Sequence, residues 1–394
     1  MITLLTGPGT HSHFLTEALR EEGYLDKVVS YFPEWEVRNA QGQRIDWVRS
    51  YRWLTRALWA AWRRIPLIGG SEHPRAWHFA LYDWLVSQRV ALSPILWAWW
   101  GTSLYTMRKA RREGRTILLE APACHPRTWN AIAKPLYAEH FPGAKHTFAI
   151  LPENYVARLE AELQEAHHIQ VLSTFAKQTF IEHGVPAEKL YILPLGVDVR
   201  VFYPEAEAQI TTEKFIVLYI GRIDPLKGVQ YLMEAFGRLQ LPHAELWMVG
   251  PVVEEMKPLL AKYLGENVKY FGARTHSELR LFYNKSSVVV FPTLLDSFGM
   301  VILEAMACGK PVIATAHSGA PDVMNENMGF VISAFSSEAI AEALERSYLR
   351  RDYLFEMGRA AYQHVLSHYT LEAYRHRVAK YLHFLIKSYG LAQT

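Results

Sequence analysis

Cysteine is almost missing from this chain of 394 residues, which holds only Cys124 and Cys308. Two thiols make neither a disulfide framework nor a cysteine-based metal cluster, and they suit a reducing compartment. No Gly-x-x-x-x-Gly-Lys-Ser/Thr loop occurs and no Gly-x-Gly-x-x-Gly step opens a helix, which argues against a P-loop NTPase and a nicotinamide enzyme. Repeats and low-complexity blocks are lacking too. Long apolar runs are scarce. Residues 90–107 hold no charged side chain, yet Ser93-Pro94 and the turn Gly101-Thr102-Ser103 break them into a buried strand and the start of a helix over 103–113, not a membrane span. Met1 to Gly7 has no basic lead-in and runs directly into a strand-like segment, so no cleaved leader is expected.

What is present is an alternation of short β-branched or aromatic runs with helical patterns. Half of the residues are apolar, and the length suits two cores rather than one. Strands are expected near 2–6, 27–31, 94–100, 116–119, 168–172 and 190–193, then 215–220, 245–249, 268–271, 287–292, 311–315 and 329–332. Such alternation predicts α/β architecture with parallel sheets covered on both faces. A polar, turn-rich stretch over 196–213 with Pro204 reads as a linker, dividing 1–195 from 214–369, and the tail after His368 is helical in pattern.

Charge is uneven. Residues 38–115 hold fourteen Lys or Arg against four Asp or Glu, and nine of the twelve tryptophans, although the whole chain is only +3. Within this window, Trp47 to Ile65 projects onto a helix with Trp47, Tyr51, Leu54, Leu58 and Trp62 on one side and Arg49, Arg52, Arg56 and Arg63 on the other. Three uses fit that pattern: docking on its own domain, contact with an anionic membrane surface, or an anionic glycan or nucleic-acid surface. Nucleic acid is not the expected partner. The expected location is cytoplasmic, with peripheral association at the inner face of the membrane kept open.

Two loops carry the chemistry. The first is Gly221-Arg222-Ile223-Asp224-Pro225-Leu226-Lys227-Gly228, between the strand 215–220 and a helical pattern beginning at Val229. Arg222 offers a rigid fork for phosphate oxygens and Lys227 a mobile point charge, with helix-start N–H groups behind them; both cations also suit a plain exposed loop. The second is Asp296-Ser297-Phe298-Gly299-Met300-Val301-Ile302-Leu303-Glu304, two acids eight positions apart across a Phe-Gly step where a helix begins. Alone, that spacing is compatible with ordinary acids at a helix start. Beside an anion-binding loop, it marks a nucleotide-sugar site.

Together with Glu304-Ala305-Met306-Ala307-Cys308-Gly309-Lys310-Pro311-Val312, Val171-Leu172-Ser173-Thr174-Phe175 and Leu193-Pro194-Leu195-Gly196-Val197-Asp198, these loops resemble glycosyltransferase family 4 (glycosyl transferases group 1). The match is good over residues 165–325 and loose in the N-terminal third. The resemblance implies the GT-B fold, two Rossmann-like doubly wound domains facing a central cleft. It implies an acceptor-side domain over 1–195 and a donor-binding domain over 214–369, with a last helix in 370–394 packed back on the first domain. It also implies a retaining hexosyltransferase using a nucleoside diphosphate sugar, UDP- or GDP-linked, without a metal or other cofactor. By the same resemblance Arg222 and Lys227 hold the donor diphosphate, Glu304 the ribose, and Phe298 and Gly299 belong to the donor site. The first acid, usually Glu, is Asp296 here and contacts the transferred sugar, so this chain's sugar preference is open at that point.

In the N-terminal domain, Leu118-Leu119-Glu120-Ala121-Pro122-Ala123-Cys124-His125-Pro126 leaves a strand at the end where open α/β sheets gather ligands. The resemblance makes His125 the residue near the reacting carbon, against the alternative of a helix-capping histidine; Glu120 and Cys124 have weaker claims. Gly7, in Gly7-Pro8-Gly9, lets backbone approach a diphosphate or simply turns the chain. His11 and His13 lack further ligands and define no metal site. Arg274 either approaches the base or is an exposed loop arginine. The expected reaction is front-face transfer to a hydroxyl of a glycan or lipid-linked acceptor, with no carboxylate placed to form a covalent intermediate. A non-catalytic nucleotide-sugar-binding subunit and a GT-B type nucleotide-sugar epimerase are the alternatives.

Overall fold

The computed structural model describes residues 1–6, 10–30, 48–50, 74–142, 149–205 and 214–389. Gly7 and most of the expected basic helix over 47–65 lie outside them.

The N-terminal domain runs β1 (Ile2–Thr6), α1 (Thr10–Glu21), β2 (Leu25–Ser30), β3 (Val48–Ser50), α2 (Pro74–Arg89), β4 (Ile95–Trp99), α3 (Leu104–Arg112), β5 (Thr116–Glu120), α4 (Pro126–His140), α5 (Glu153–Glu165), β6 (His168–Val171), α6 (Thr174–Ile181) and β7 (Leu190–Ile192). Its seven strands are parallel in the order β3-β2-β1-β4-β5-β6-β7. The C-terminal domain runs β8 (Phe215–Ile220), α7 (Val229–Arg238), β9 (Ala244–Val249), α8 (Lys257–Tyr263), β10 (Val268–Tyr270), α9 (His276–Lys285), β11 (Val288–Phe291), α10 (Met300–Ala307), β12 (Val312–Thr315), α11 (Ala320–Val323), β13 (Gly329–Ile332), α12 (Ser337–Leu349) and α13 (Arg351–His368), before the closing helix α14 (Leu371–Tyr389). Its six strands are parallel in the order β10-β9-β8-β11-β12-β13.

Each of the twelve strands expected from the sequence is found, because a strand covered on both faces must be apolar throughout; β1, β4, β5, β8 and β11 are buried at every position. One expectation is corrected. Val48–Ser50, inside the segment read as a basic helix, forms the edge strand β3 in register with Val28–Ser30. Three residues are too few to show an alternation, so the helical projection prevailed over that short stretch.

Both sheets reverse direction at one point, β1/β4 in the first and β8/β11 in the second. Loops leaving such a pair splay apart and open a crevice at the carboxyl ends of the strands. In the C-terminal domain these are the 221–228 and 292–299 loops. In the N-terminal domain the turn after β4 is fixed by two buried acids: Glu162 accepts from the backbone of Gly101, Ser103 and Leu104, and Asp83 from that of Tyr105 and Thr106. Arg158 pairs with Asp83 at 2.6 Å and offsets part of their charge. The turn is thus held rigidly at the mouth of the cleft.

Two chain crossings join the domains. Val197 bridges Thr370, Val197 N donates to Tyr369 O at 2.8 Å, and Arg377 Nη2 donates to the carbonyls of Pro194 and Leu195. Helix α14 then lies on the N-terminal domain, with Tyr381 stacked on Tyr191 at 3.8 Å and edge-on to Trp97. Val378, Leu382 and Leu385 are fully buried there, at roughly 1.5–3 kcal/mol for each such side chain.

Candidate active site in the interdomain cleft

The loop after β8 is shaped by its own side chains. Asp224 caps the tight turn Pro225–Lys227, accepting from Leu226 N at 2.9 Å, and its other oxygen holds the Arg222 guanidinium at 2.8 Å. Tyr219 Oη donates to Arg222 O at 2.7 Å. Gly228 then turns with φ +67°, where a Cβ would lie 1.9 Å from Pro292 O; only glycine lets the loop touch the 292–299 segment. Arg222 remains largely exposed despite that pairing.

The 292–299 loop meets it directly. Lys227 Nζ donates to Asp296 Oδ2 at 2.5 Å, while Asp296 Oδ1 accepts from Phe298 N at 3.0 Å, a local turn that fixes the carboxylate. Lys227 also lies 5.8 Å from the centroid of the Phe291 ring. Phe298 is buried, and Gly299, at φ +90°, starts α10 with its first N–H groups uncapped by a side chain. Glu304 follows in that helix, buried, with Oε2 accepting from Tyr283 Oη at 2.7 Å. Burial pushes the Glu304 carboxyl up, and the Tyr283 donation and the nearby His276 oppose that.

The N-terminal domain closes over these loops. Leu226 and Leu294 pack against Ala133, Leu136 and Tyr137 of α4. Ser297 Oγ donates to Pro122 O at 2.5 Å, Ser173 Oγ donates to Ser297 O at 2.6 Å, and Thr174 N, at the start of α6, donates to Asp322 Oδ2 at 2.6 Å. Phe175 stacks on His317 with centroids 4.9 Å apart, and His317 O accepts from Asp296 N. The Asp296 loop is therefore held from both domains.

His125 is buried at the start of α4. Its Nδ1 accepts from Arg127 N at 3.3 Å and its backbone N donates to Thr179 Oγ1 at 3.0 Å. Burial, with the His183 ring stacked at 4.3 Å, depresses its pKa to about 4. At neutral pH the ring is uncharged, and an accepting Nδ1 leaves the proton on Nε2, so His125 is a helix cap that can also donate a hydrogen bond. Cys124, beside it, is buried with its thiol pushed up by burial and by the Asp296 charge, which makes it inert. Arg274 precedes α9, partly exposed, 3.9 Å from Glu278.

The structure thus brings together Lys227, Asp296, Phe298 and Gly299, with Arg222 and Glu304 on the same two elements and the 122–125 turn facing them. Sequence reasoning missed Asp224, although Asp-Pro ahead of a turn is a capping signal. It also missed Tyr283, Ser173 and Asp322, whose partners lie 21, 124 and 148 positions away, beyond any local pattern. Among the described residues no group of three or more His, Cys, Asp or Glu side chains gathers as metal ligands, and no helix is long and apolar enough to cross a membrane.

Comparison with known proteins agrees with this architecture. The family model for Glycosyl transferases group 1 matches residues 205–364. D-inositol 3-phosphate glycosyltransferase of Paenarthrobacter aurescens is 28% identical over 227 residues, covering 52% of this chain and 56% of that protein. The chain spans about half the length of the curated relatives it matches. The solved sucrose-phosphate synthase of Thermosynechococcus elongatus superposes with a TM-score of 0.73 at 21% identity, covering 98% of this chain and 99% of that one. Anabaena HepE, solved with UDP and glucose, gives a TM-score of 0.68 at 16% identity over 97% and 98% of the two chains.

Proposed function

Residues 205–364 match the glycosyl transferases group 1 family and the described residues have the GT-B fold, and from that premise we propose that the protein is a retaining glycosyltransferase. It moves a hexosyl group from a nucleoside diphosphate sugar to a hydroxyl of a glycan or lipid-linked acceptor. The observation that carries the proposal is the Lys227–Asp296 contact, a cation and a hydrogen-bond acceptor side by side above the uncapped start of α10. Diphosphate and sugar need those two groups in that order. The complex of HepE with UDP and glucose, on the same fold, supports a nucleotide-sugar donor.

In the reaction, the bond from the anomeric carbon to the diphosphate oxygen breaks, the acceptor oxygen bonds to that carbon on the same face, and the acceptor proton passes to the departing phosphate. Lys227, Arg222 and the backbone N–H groups at Gly299–Val301 stabilise the negative charge that grows on the diphosphate. Asp296 accepts from a sugar hydroxyl, and the neutral His125 donates from Nε2, so both orient the sugar rather than bond to it. Glu304 accepts from the ribose hydroxyls. The contacts of Leu226, Leu294, Ser297 and Asp322 with the N-terminal domain exclude water and limit hydrolysis. No divalent metal is assigned a role, because the two cations supply the positive charge. Trp84 on α2 and Tyr105 at the start of α3, 48% and 38% exposed, together with Lys109, Arg111 and Arg112 in the last turn of α3, support an anionic membrane surface as a further partner.

A thermal-shift panel of nucleoside diphosphates and their sugars identifies the donor. Lys227→Ala then lowers turnover about 10²- to 10³-fold, the scale of losing one transition-state donor. A rate near that of the unaltered protein overturns the diphosphate assignment.

A further inference from the structure

Tyr283 is fully buried in α9, and its hydroxyl donates to the Glu304 carboxylate across the helix pair. The tyrosine cannot drift. The Phe202 ring stands edge-on to it with centroids 5.8 Å apart. The next residue, Asn284, ties α9 to the segment leaving the first domain: its Oδ1 accepts from Glu205 N at 2.9 Å and its Nδ2 donates to Tyr203 O at 3.1 Å. Lys310, also buried, donates from Nζ to Asn284 O at 2.8 Å. A phenol held this firmly fixes the oxygen to which it donates.

The carboxylate it fixes is asymmetric. Oε2 is committed to Tyr283, whereas Oε1 takes no protein hydrogen bond among the described residues, and the residue keeps 6% of its surface exposed. A vicinal diol needs an acceptor oriented toward both hydroxyls, and a freely rotating carboxylate loses that orientation. Donation from Tyr283 also favours the ionised carboxylate, which accepts two hydrogen bonds where a protonated acid accepts fewer.

We infer that Tyr283 is the positioning residue for the ribose site: it locks Glu304 so that one oxygen faces the 2′ and 3′ hydroxyls of the nucleotide, and so sets the preference for a ribonucleoside diphosphate. The inference rests on the ribose role proposed for Glu304.

The test separates the two. Dissociation constants are measured by titration calorimetry for UDP, GDP, their 2′,3′-dideoxy analogues and inorganic pyrophosphate, using the unaltered protein, Glu304→Gln and Tyr283→Phe. Phenylalanine keeps the ring and its packing and removes only the hydroxyl. The unaltered protein should prefer the ribo form of the nucleotide it binds by about tenfold or more, the scale of a charged hydrogen bond. Glu304→Gln should erase most of that ratio, and Tyr283→Phe should reduce it about fivefold while leaving pyrophosphate affinity unchanged. If the unaltered protein does not distinguish ribo from dideoxy, the Glu304 role fails and Tyr283 falls with it. If it does and Tyr283→Phe keeps the full ratio, the positioning role alone is overturned. Equal weakening of ribo, dideoxy and pyrophosphate binding also overturns it, because that marks a merely structural tyrosine. Where a substrate pair is known, Tyr283→Phe should raise the donor KM with kcat little changed.

Discussion

Replacing Asp296 with asparagine separates the contact observed for that side chain, with Lys227, from the role proposed for it toward the sugar. In the free protein, Asp296 Oδ2 holds Lys227 Nζ at 2.5 Å, with both side chains partly buried, at 18% and 27% exposure. A hydrogen bond to a charged group contributes about 1.5–3 kcal/mol. An incoming diphosphate must draw Lys227 away from this partner. The amide of the variant keeps an oxygen for Phe298 N, the bond that shapes the loop at 3.0 Å, so the backbone is expected to stay in place. With that oxygen turned to Phe298 N, the amide nitrogen that replaces Oδ2 cannot accept from Lys227, so the competition for Lys227 falls by about 1.5–3 kcal/mol and UDP or GDP without sugar should bind about ten- to a hundredfold more tightly. Turnover moves the other way. A neutral amide is a poorer acceptor for a sugar hydroxyl as charge develops in the transition state, and kcat should fall about 10- to 100-fold. Calorimetry on the nucleotide and initial rates on the sugar donor read the two effects separately. If Asp296→Asn weakens nucleotide binding along with turnover, Asp296 is a strut for its loop and the competition argument is wrong.

Gly228→Ala should cost more than about 3 kcal/mol or prevent folding, since the new methyl would meet Pro292 O at 1.9 Å from a left-handed backbone; a melting temperature within about 2 °C of the parent would refute the close approach. His125→Asn, which keeps a helix cap, should flatten the acid side of the stability curve. The His125 pKa is about 4 when folded, below its unfolded value near 6.5, so its contribution is complete above about pH 6.5 and disappears as pH falls toward 4. Melting temperatures across that window should drop less in the variant, and parallel curves would show that the ring does not titrate in this way. Asp322→Ala removes the carboxylate that accepts from Thr174 N across the cleft and should open the unliganded protein, seen as a larger radius of gyration by X-ray scattering. An unchanged radius would mean that Leu226 and Leu294 hold the closure without it.

Much of the fold was legible because fully parallel sheets demand strands that are apolar on both faces, and runs such as Phe215–Ile220 admit few other assignments. The short edge strand β3 was not legible, since an edge of three residues carries no period. At the site, the 221–228 and 296–304 segments could be read because a glycine-framed cation loop and a Phe-Gly helix start are local patterns. The Lys227–Asp296 pair itself was not legible: it spans 69 positions and exists only because β8 and β11 are neighbours at the point where the sheet reverses. His125 was singled out for its place after β5. Its neutral state came from contacts with Phe180 and His183 on and just after α6, which no spacing rule reaches.

Helix α14 belongs to the first domain by packing but follows the whole of the second domain in the chain. Ribosomal synthesis delivers β7 roughly 180 residues before α14, which at about 5–20 residues per second is a delay of roughly 10–40 s. Throughout it, the sheet face carrying Trp97 and Tyr191 waits for Tyr381. Of these two domains, the one made first is therefore the one finished last, its aromatic sheet face uncovered while the second domain folds.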